Sequence, residues 1–232
     1  MESLPSADAV LAHGFDFRPN WWHGRAPTSW TAFLNELPEA AAGRGYRHIT
    51  RQDLLSHATD LAVNDGGLLV ACYVWGTGTS GWLVPRRSRV FRDTAADTLR
   101  AQLAAARQVL DHDGPAAAYA SMSDGGTNRI KHMRASFFTK FLYAASAPRL
   151  GEDSSALILD QFVAIALNDL HDWGIAEKGP WSVQTYARWL KHAASEAAAA
   201  STVDQPVRVD AVEMAYFRHG RYIARERRAG AR

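Results

Sequence analysis

Residues 134–146 read RASFFTKFLYAAS, and after a polar connector residues 156–167 read ALILDQFVAIAL. Read as a helix from about Ser136, the first run puts Phe138, Phe141, Leu142 and Ala145 on one apolar face. Lys140 projects from the other side, beside Ser136, Tyr143 and Ala144. Ser146-Ala147-Pro148 stops this helix, because proline cannot continue the hydrogen-bond ladder. Asp160 stands at the first position of the second run, ahead of Phe162, Val163, Ala166, Leu167 and Leu170 at helical spacing. An aspartate there accepts a free backbone N–H and faces the positive end of the helix. Residues 125–151 hold five Lys or Arg and no carboxylate, so Lys140 lies in a locally positive field. A lysine on an amphipathic helix is ordinarily solvated, and an aspartate at a helix start is ordinarily a cap. Periodicity alone leaves that structural reading and a chemical one side by side.

Working outward, 232 residues with 47% apolar content can bury a sizeable core. The formal net charge is only +2, so affinity for nucleic acid must come from where basic residues cluster. A single cysteine, Cys72, excludes an intramolecular disulfide, a four-cysteine iron–sulfur cluster and a multi-thiolate zinc site. The histidines show no HExxH or other ligand spacing, so no metal and no cofactor is expected. With no signal-peptide pattern and no apolar run near 18 residues, the chain reads as soluble and cytoplasmic, without a membrane partner.

Along the chain, Thr28-Ser29 opens a short helix ended by Pro38, and Trp21-Trp22 read as covers for the core. Thr50-Arg51-Gln52-Asp53 is close to a capping box and predicts a helix to about Val63. Asn64-Asp65-Gly66-Gly67 reads as a turn before the buried run LLVACYVW, and short strands are expected near residues 68–75 and 82–91. The stretch GTGTSG (76–81) formally matches G-x-G-x-x-G, but Pro85 arrives where a pyrophosphate-holding helix should run. A flexible loop fits better, leading into the basic cluster Arg86, Arg87, Arg89 and Arg92. Asp93 to Leu110 predicts an amphipathic helix with Leu99, Leu103, Ala106 and Leu110 on one stripe, broken at Gly114-Pro115. A helix from about Ser182 to Ala200 follows, then a last helix whose basic end, from about residue 224, reads as frayed or disordered. No repeat or linker interrupts residues 1–232, which read as one mainly α domain.

FFTKFLYAA followed by LILDQFVAIAL resembles the helix-hairpin-helix DNA glycosylases of the 8-oxoguanine glycosylase fold, including bacterial proteins of that fold and the archaeal 8-oxoguanine glycosylases. There a hairpin ends in a lysine and an aspartate opens a later helix; the separation here, 160 − 140 = 20, is the interval of that pattern. One departure is plain: the superfamily usually has Leu-Pro-Gly-Val-Gly in the hairpin, and this chain reads Arg134-Ala135-Ser136-Phe137-Phe138. The resemblance implies a helix-hairpin-helix glycosylase fold of two helical lobes with the active site between them. It implies that Lys140 attacks C1′ of the deoxyribose and that Asp160 stabilises charge on the sugar, with abasic-site lyase activity through a Schiff base. Arg129, Arg134, Ser136 and Thr139, with Arg86, Arg87 and Arg89, are then the candidate DNA contacts. Ala144 and either Tyr216 or Phe217 are the candidate base pocket. The partner is double-stranded DNA containing a modified base, bound by a monomer.

Chemistry sets one condition on this reading. Free lysine titrates near ~10.4, and lowering that to ~7.5 disfavours the ammonium by about 4 kcal/mol, which burial and a positive field can supply. Asp160 opposes that shift if it pairs directly. A small Ala144 implies an open wall, which leaves two substrates: an 8-oxoguanine-type lesion in base excision repair, or a hypermodified phage base such as glucosylated hydroxymethylcytosine in anti-phage defence. Two other classes stay open, a non-catalytic DNA-binding protein of the same fold and a nucleotide-binding enzyme using the 76–81 loop.

Overall fold

The computed structural model describes residues 3–60, 65–147 and 155–230. Helix α1 (Ala7–Leu11), capped by the Ser6 hydroxyl, leads into strand β1 (Gly14–Phe17). After α2 (Thr28–Thr31) and a 3-10 turn, strand β2 (Arg47–Thr50) returns antiparallel to β1, with Phe15 opposite Ile49. The rest is helical: α3 (Arg51–Thr59), α4 (Asp65–Thr77), α5 (Val84–Arg87), α6 (Arg89–Arg92), α7 (Ala96–Met122), α8 (Ala135–Ala145), α9 (Gln161–His171), α10 (Val183–Ala200) and α11 (Val209–Gly230). This mostly helical architecture is the one expected for the fold class. Among the described residues no helix is long and apolar enough to cross a membrane.

Local chemistry explains several boundaries. The expected capping box is present at α3, where Thr50 Oγ1 accepts from Asp53 N and Asp53 Oδ2 accepts from Thr50 N at 2.7 Å. That helix ends at Thr59, and the expected extension to Val63 runs into residues 61–64, outside the described residues. The predicted end of the Lys140 helix is at the right place, Ala145, although Pro148 too lies outside the described residues. Gly114 (φ 82°) interrupts α7 just before Pro115, and the stripe of Leu99, Leu103, Ala106 and Leu110 is buried.

Three expectations are corrected. No strand forms at 68–75, because Leu68 to Trp75 are buried residues of α4, which starts at Asp65 inside the expected turn. A helix covered on all sides has no polar face, so its period cannot be read from the sequence. Nor is there a strand at 82–91, which forms a 3-10 turn followed by α5 and α6. The chain's strands are instead 14–17 and 47–50, in a region that reads as irregular. Finally, α11 continues to Gly230, so residues 224–230 are helical and not a frayed tail; Arg227 pairs there with Glu177 at 2.6 Å.

The core runs from α2 to α11 and encloses a charged pair. Arg51 donates to Glu213 at 2.7 Å, and neither side chain exceeds 1% exposure. The guanidinium sits 5.0 Å from the Tyr143 ring centroid and 5.4 Å from that of Trp75. This ties α3 to α11 directly behind α8.

Helices α9 and α11 cross closely, and Gly220 makes the crossing possible: a Cβ there would collide with the backbone carbonyl of Phe162. In an open helix Gly→Ala gains about 1 kcal/mol, whereas overpacking against backbone costs about 1–3 kcal/mol. Gly220→Ala is therefore expected to lower the melting temperature by several degrees. Gly230→Ala, with open space around the same atom, is expected to leave it unchanged. Calorimetric scans of the two variants check this, and a stabilised Gly220→Ala protein would contradict the packing described.

Candidate active site

Residues 155–160 belong to no helix or strand, and Ala156 to Leu159 are at most 1% exposed. Buried backbone amides and carbonyls need partners, and side chains supply them. Ser146 Oγ accepts from Ala156 N at 3.3 Å. The Tyr186 hydroxyl accepts from Leu157 N and donates to Leu157 O at 2.9 Å. The Trp189 indole donates to Ile158 O at 3.1 Å, and Thr139 Oγ1 accepts from Leu159 N at 3.2 Å. Thr139 also donates to Ala135 O at 2.6 Å, which fixes its hydroxyl to the first turn of α8.

One residue beyond the Thr139–Leu159 contact, Lys140 meets Asp160. Lys140 Nζ lies 3.3 Å from Asp160 Oδ2 and donates to Ser136 O at 2.8 Å. The side chains are 7% and 13% exposed, so this lysine is not a solvated one. The aspartate divides its oxygens. Oδ1 caps α9 by accepting from Phe162 N (2.9 Å) and Val163 N (3.3 Å), and Oδ2 is left for the amine.

Aromatic rings surround the amine. Nζ stands 5.8 Å from the Phe137 ring centroid and 5.9 Å from that of Trp75. Trp75 contacts His13 and Phe15 edge-on, and Phe217 contacts both His13 and Phe162. The His13 carbonyl accepts from Trp75 Nε1 (3.0 Å) and Arg51 N (2.9 Å), which pins the start of β1 to α4 and α3. The ring Nδ1 of His13 is buried without a hydrogen-bond partner. Burial lowers the His13 imidazole to about 3, helped by the positive charges of Arg51, Arg218, Arg221 and Lys140. It is a neutral ring at neutral pH. Cys72 is no competing nucleophile, because burial pushes its thiol up to about 12.

The glycine stretch 76–81 belongs to this wall. Gly76 lies where a Cβ would meet Phe137 and the Lys140 stem at 3.0–3.2 Å, and Gly78 (φ +56°) ends α4 against Phe15. The long helix precedes the glycines instead of following them, so its carbonyl end faces the loop and offers no amide cradle for a pyrophosphate. The nucleotide-binding alternative has no support here. A cavity of about 280 Å³ lined by Arg25, Pro27, Ser88, Phe91 and Arg92 includes neither Lys140 nor Asp160.

The other candidate residues divide. Arg134 is exposed at the start of α8, and Ser136 is half-buried with its carbonyl taken by Lys140. Arg87 lies over the Phe137 ring at 5.1 Å and donates to Gly76 O, which places it beside the site. Arg86 is exposed, whereas Arg89 and Arg129 are exposed but ion-paired with Asp93 and Asp124. Three assignments are corrected. Thr139 is fully buried and holds Leu159, so no phosphate reaches it. Ala144 has no exposed surface, because one turn beyond Lys140 the helix has entered the core; no open wall forms there. Tyr216 is also fully buried and directs its hydroxyl to His171, His192 and Glu196, away from the base pocket it was assigned to. Phe217, next to it, joins the aromatic group.

His13, Phe15, Trp75, Phe137, Arg218 and Arg221 escaped the sequence reading, since they come from four distant elements and share no spacing. The basic end of α11 was the one available signal. A second cluster also went unforeseen: His171, His192 and Glu196 bring three possible metal-ligand atoms within 4.8 Å of one another.

Among known protein families, the one described as "Putative 8-oxoguanine DNA glycosylase OGG-like protein" matches residues 8–217. No curated protein and no solved structure matches the chain.

Two outcomes follow from this geometry. Thr139→Val leaves Leu159 N unpaired in the core, and is expected to cost about 1–3 kcal/mol in urea unfolding while leaving the salt dependence of DNA binding unchanged. Unaltered stability would mean that Thr139 does not hold the segment. The second concerns His13. Between about pH 6.5 and 3 the unfolded chain binds a proton that the buried ring does not, so folding stability falls as pH drops through that window. His13→Gln is expected to lose less stability than the parent between pH 7 and pH 4; equal losses would rule out a buried neutral ring.

Proposed function

The chain belongs to the OGG-like family of 8-oxoguanine DNA glycosylases, and from that premise we propose that it excises an oxidised purine from double-stranded DNA with Lys140 as nucleophile and Asp160 as its proton-handling partner. The observation that carries this reading is the buried Lys140 amine 3.3 Å from one oxygen of a carboxylate whose other oxygen is fixed by a helix N-terminus. Holding these two charges together at 7% and 13% exposure costs desolvation, and unlike the fully enclosed Arg51–Glu213 pair they keep an exposed edge through which a nucleotide can reach them.

The steps follow from the atoms present. The glycosidic bond of a stacked base is out of reach, so the nucleotide must be extruded first. Phe15, half-buried and in edge contact with the Trp75 ring that stands over Lys140, is a candidate to receive the extruded base. The Lys140 ammonium passes one proton to Asp160 Oδ2 and its lone pair attacks C1′. The C1′–N bond breaks, its electron pair leaves with the base, and the proton held by Asp160 goes to that base. Asp160 is again a carboxylate when positive charge sits on the C1′–lysine adduct. Asp160 then takes a proton from the adduct nitrogen and delivers it to O4′ as the C1′–O4′ bond breaks, which opens the sugar and leaves a protonated C1′=N Schiff base; loss of a C2′ proton from it expels the 3′ phosphate by β-elimination. Arg218, Arg221, Arg87 and Arg134 rim this region and supply phosphate contacts, which position the duplex without reading sequence. The bulky hypermodified pyrimidine rested on an open wall at Ala144; without that wall, the oxidised purine is the substrate to test.

The test is incubation with duplexes carrying 8-oxoguanine, with borohydride added to reduce the Schiff base. The parent protein is expected to release the base and to form a trapped covalent adduct. Lys140→Gln is expected to do neither, while binding DNA nearly as well, since one of several positive charges is lost. Asp160→Asn keeps the cap acceptor and loses the charge. It is expected to hold its melting temperature closely and to lose about 10²–10⁴-fold in rate. Undiminished excision by Lys140→Gln, or loss of activity in Asp160→Asn only in step with loss of fold, would sink the assignment.

A further inference from the structure

Away from Lys140, the C-terminal end of α9 and the middle of α10 present three donor atoms to one point. His192 Nε2 lies 3.2 Å from Glu196 Oε1, and His171 Nε2 lies 3.6 Å from the same oxygen. In a tetrahedral zinc site with bonds of about 2.0–2.2 Å, neighbouring donor atoms stand about 3.3–3.6 Å apart. The spacing found is thus close to that of a ligand set, without rearrangement of the two helices. His192 and Glu196 are four residues apart on α10 and so share a face. His171, the last residue of α9, reaches across to them.

A fourth oxygen stands over the three. The Tyr216 hydroxyl, from α11, is 2.6 Å from His171 Nε2, 2.8 Å from His192 Nε2 and 2.7 Å from Glu196 Oε1. The two imidazoles donate to it and it donates to the carboxylate, which makes a closed hydrogen-bond group. To admit a cation the hydroxyl draws back by roughly 0.6 Å, the gap between a hydrogen bond and a tetrahedral ligand edge, and both imidazoles change tautomer, the proton leaving Nε2 for Nδ1. Trp173 and Trp189 pack on the His192 ring, which restricts its orientation. The His171 side chain is 34% exposed, which gives an ion a way in.

We propose that His171, His192 and Glu196 bind one zinc ion, with Tyr216 or a water completing the tetrahedron. Two neutral imidazoles and one carboxylate suit Zn²⁺ and its late first-row neighbours, while Mg²⁺ and Ca²⁺ demand oxygen donors. The ion joins α9 to α10, and Tyr216 brings α11 against the same point. One of them, α9, is capped by Asp160, and another, α11, carries Glu213 and Phe217. Its role is to clamp the C-terminal helices behind the site, and it takes no part in base excision.

The test uses the full chain, stripped with a chelator and titrated with Zn²⁺ in a calorimeter. One equivalent is expected to bind, and Zn²⁺ at 100 times Kd is expected to raise the melting temperature by about 5–10 °C. Mg²⁺ should give no shift. His192→Ala and Glu196→Gln are expected to lose the equivalent, and the glutamine variant keeps an acceptor for Tyr216 should the alanine variant fold poorly. Tyr216→Phe should keep it with less than a tenfold change in Kd, water taking the fourth position. His23→Ala, at an exposed histidine elsewhere, should bind as the parent does. A parent protein indifferent to Zn²⁺ would show that the group is held by hydrogen bonds alone. An equivalent retained in Glu196→Gln would place the ion at other histidines. Either result overturns the proposal.

Discussion

A non-helical segment buried in a helical protein must have its backbone groups satisfied, and the site depends on how that is done between residues 156 and 160. Four side chains, two from α8 and its C-cap and two from α10, stand in for a neighbouring strand. The decisive one is Thr139, whose single hydroxyl grips both its own helix and Leu159. Because Thr139 and Lys140 are adjacent, as are Leu159 and Asp160, fixing one pair fixes the other. The separation of Lys140 and Asp160 is set by a neighbouring hydrogen bond, so the two need not attract each other strongly to stay together.

Charge inside this core is arranged in layers. Lys140 and Asp160 lie at its edge, where each keeps a little exposure. Behind them Arg51 and Glu213 are fully enclosed, flanked by Tyr143 and Asp210, with the Tyr143 hydroxyl donating to Asp210 at 2.7 Å. Desolvating each ion costs several kcal/mol, about as much as a good buried pairing returns. The inner pair therefore adds little net stability, but it fixes how α3 and α11 meet, and so where His13 and Phe217 stand. Small residues complete the arrangement. Gly76 lets the lysine stem pass against α4, and Gly220 lets α11 lie on the start of α9.

The positive rim has a related origin. Arg218 and Arg221 project from the same turns of α11 that bury Tyr216 and Gly220, so the helix is basic on the face turned to the site and apolar on the face turned to the core. With a net charge of only +2, it is this placement that concentrates positive charge beside His13.

The amino-acid sequence alone determined the mainly α class, the capping box at Thr50, the break at Gly114 and the spacing of Lys140 and Asp160 that carries the family likeness. These are local facts, set by backbone sterics, capping and periodicity within one or two turns. It also marked Asp160 as a cap, and the cap is there. Tertiary structure decided the rest. Leu68 to Trp75 became helix because every face of that segment is covered, which erases the polar stripe that would have shown its period. Thr139 and Ala144 proved to be interior because α8 runs into the core from an exposed start, a direction that no spacing encodes. His13, Phe15, Trp75 and Phe217 gather into one aromatic group from β1 and its start, α4 and α11, and the two histidines and the glutamate near Tyr216 meet from two helices. Contacts between residues far apart in sequence leave no periodic trace, because they arise only when helices with unrelated registers are packed together.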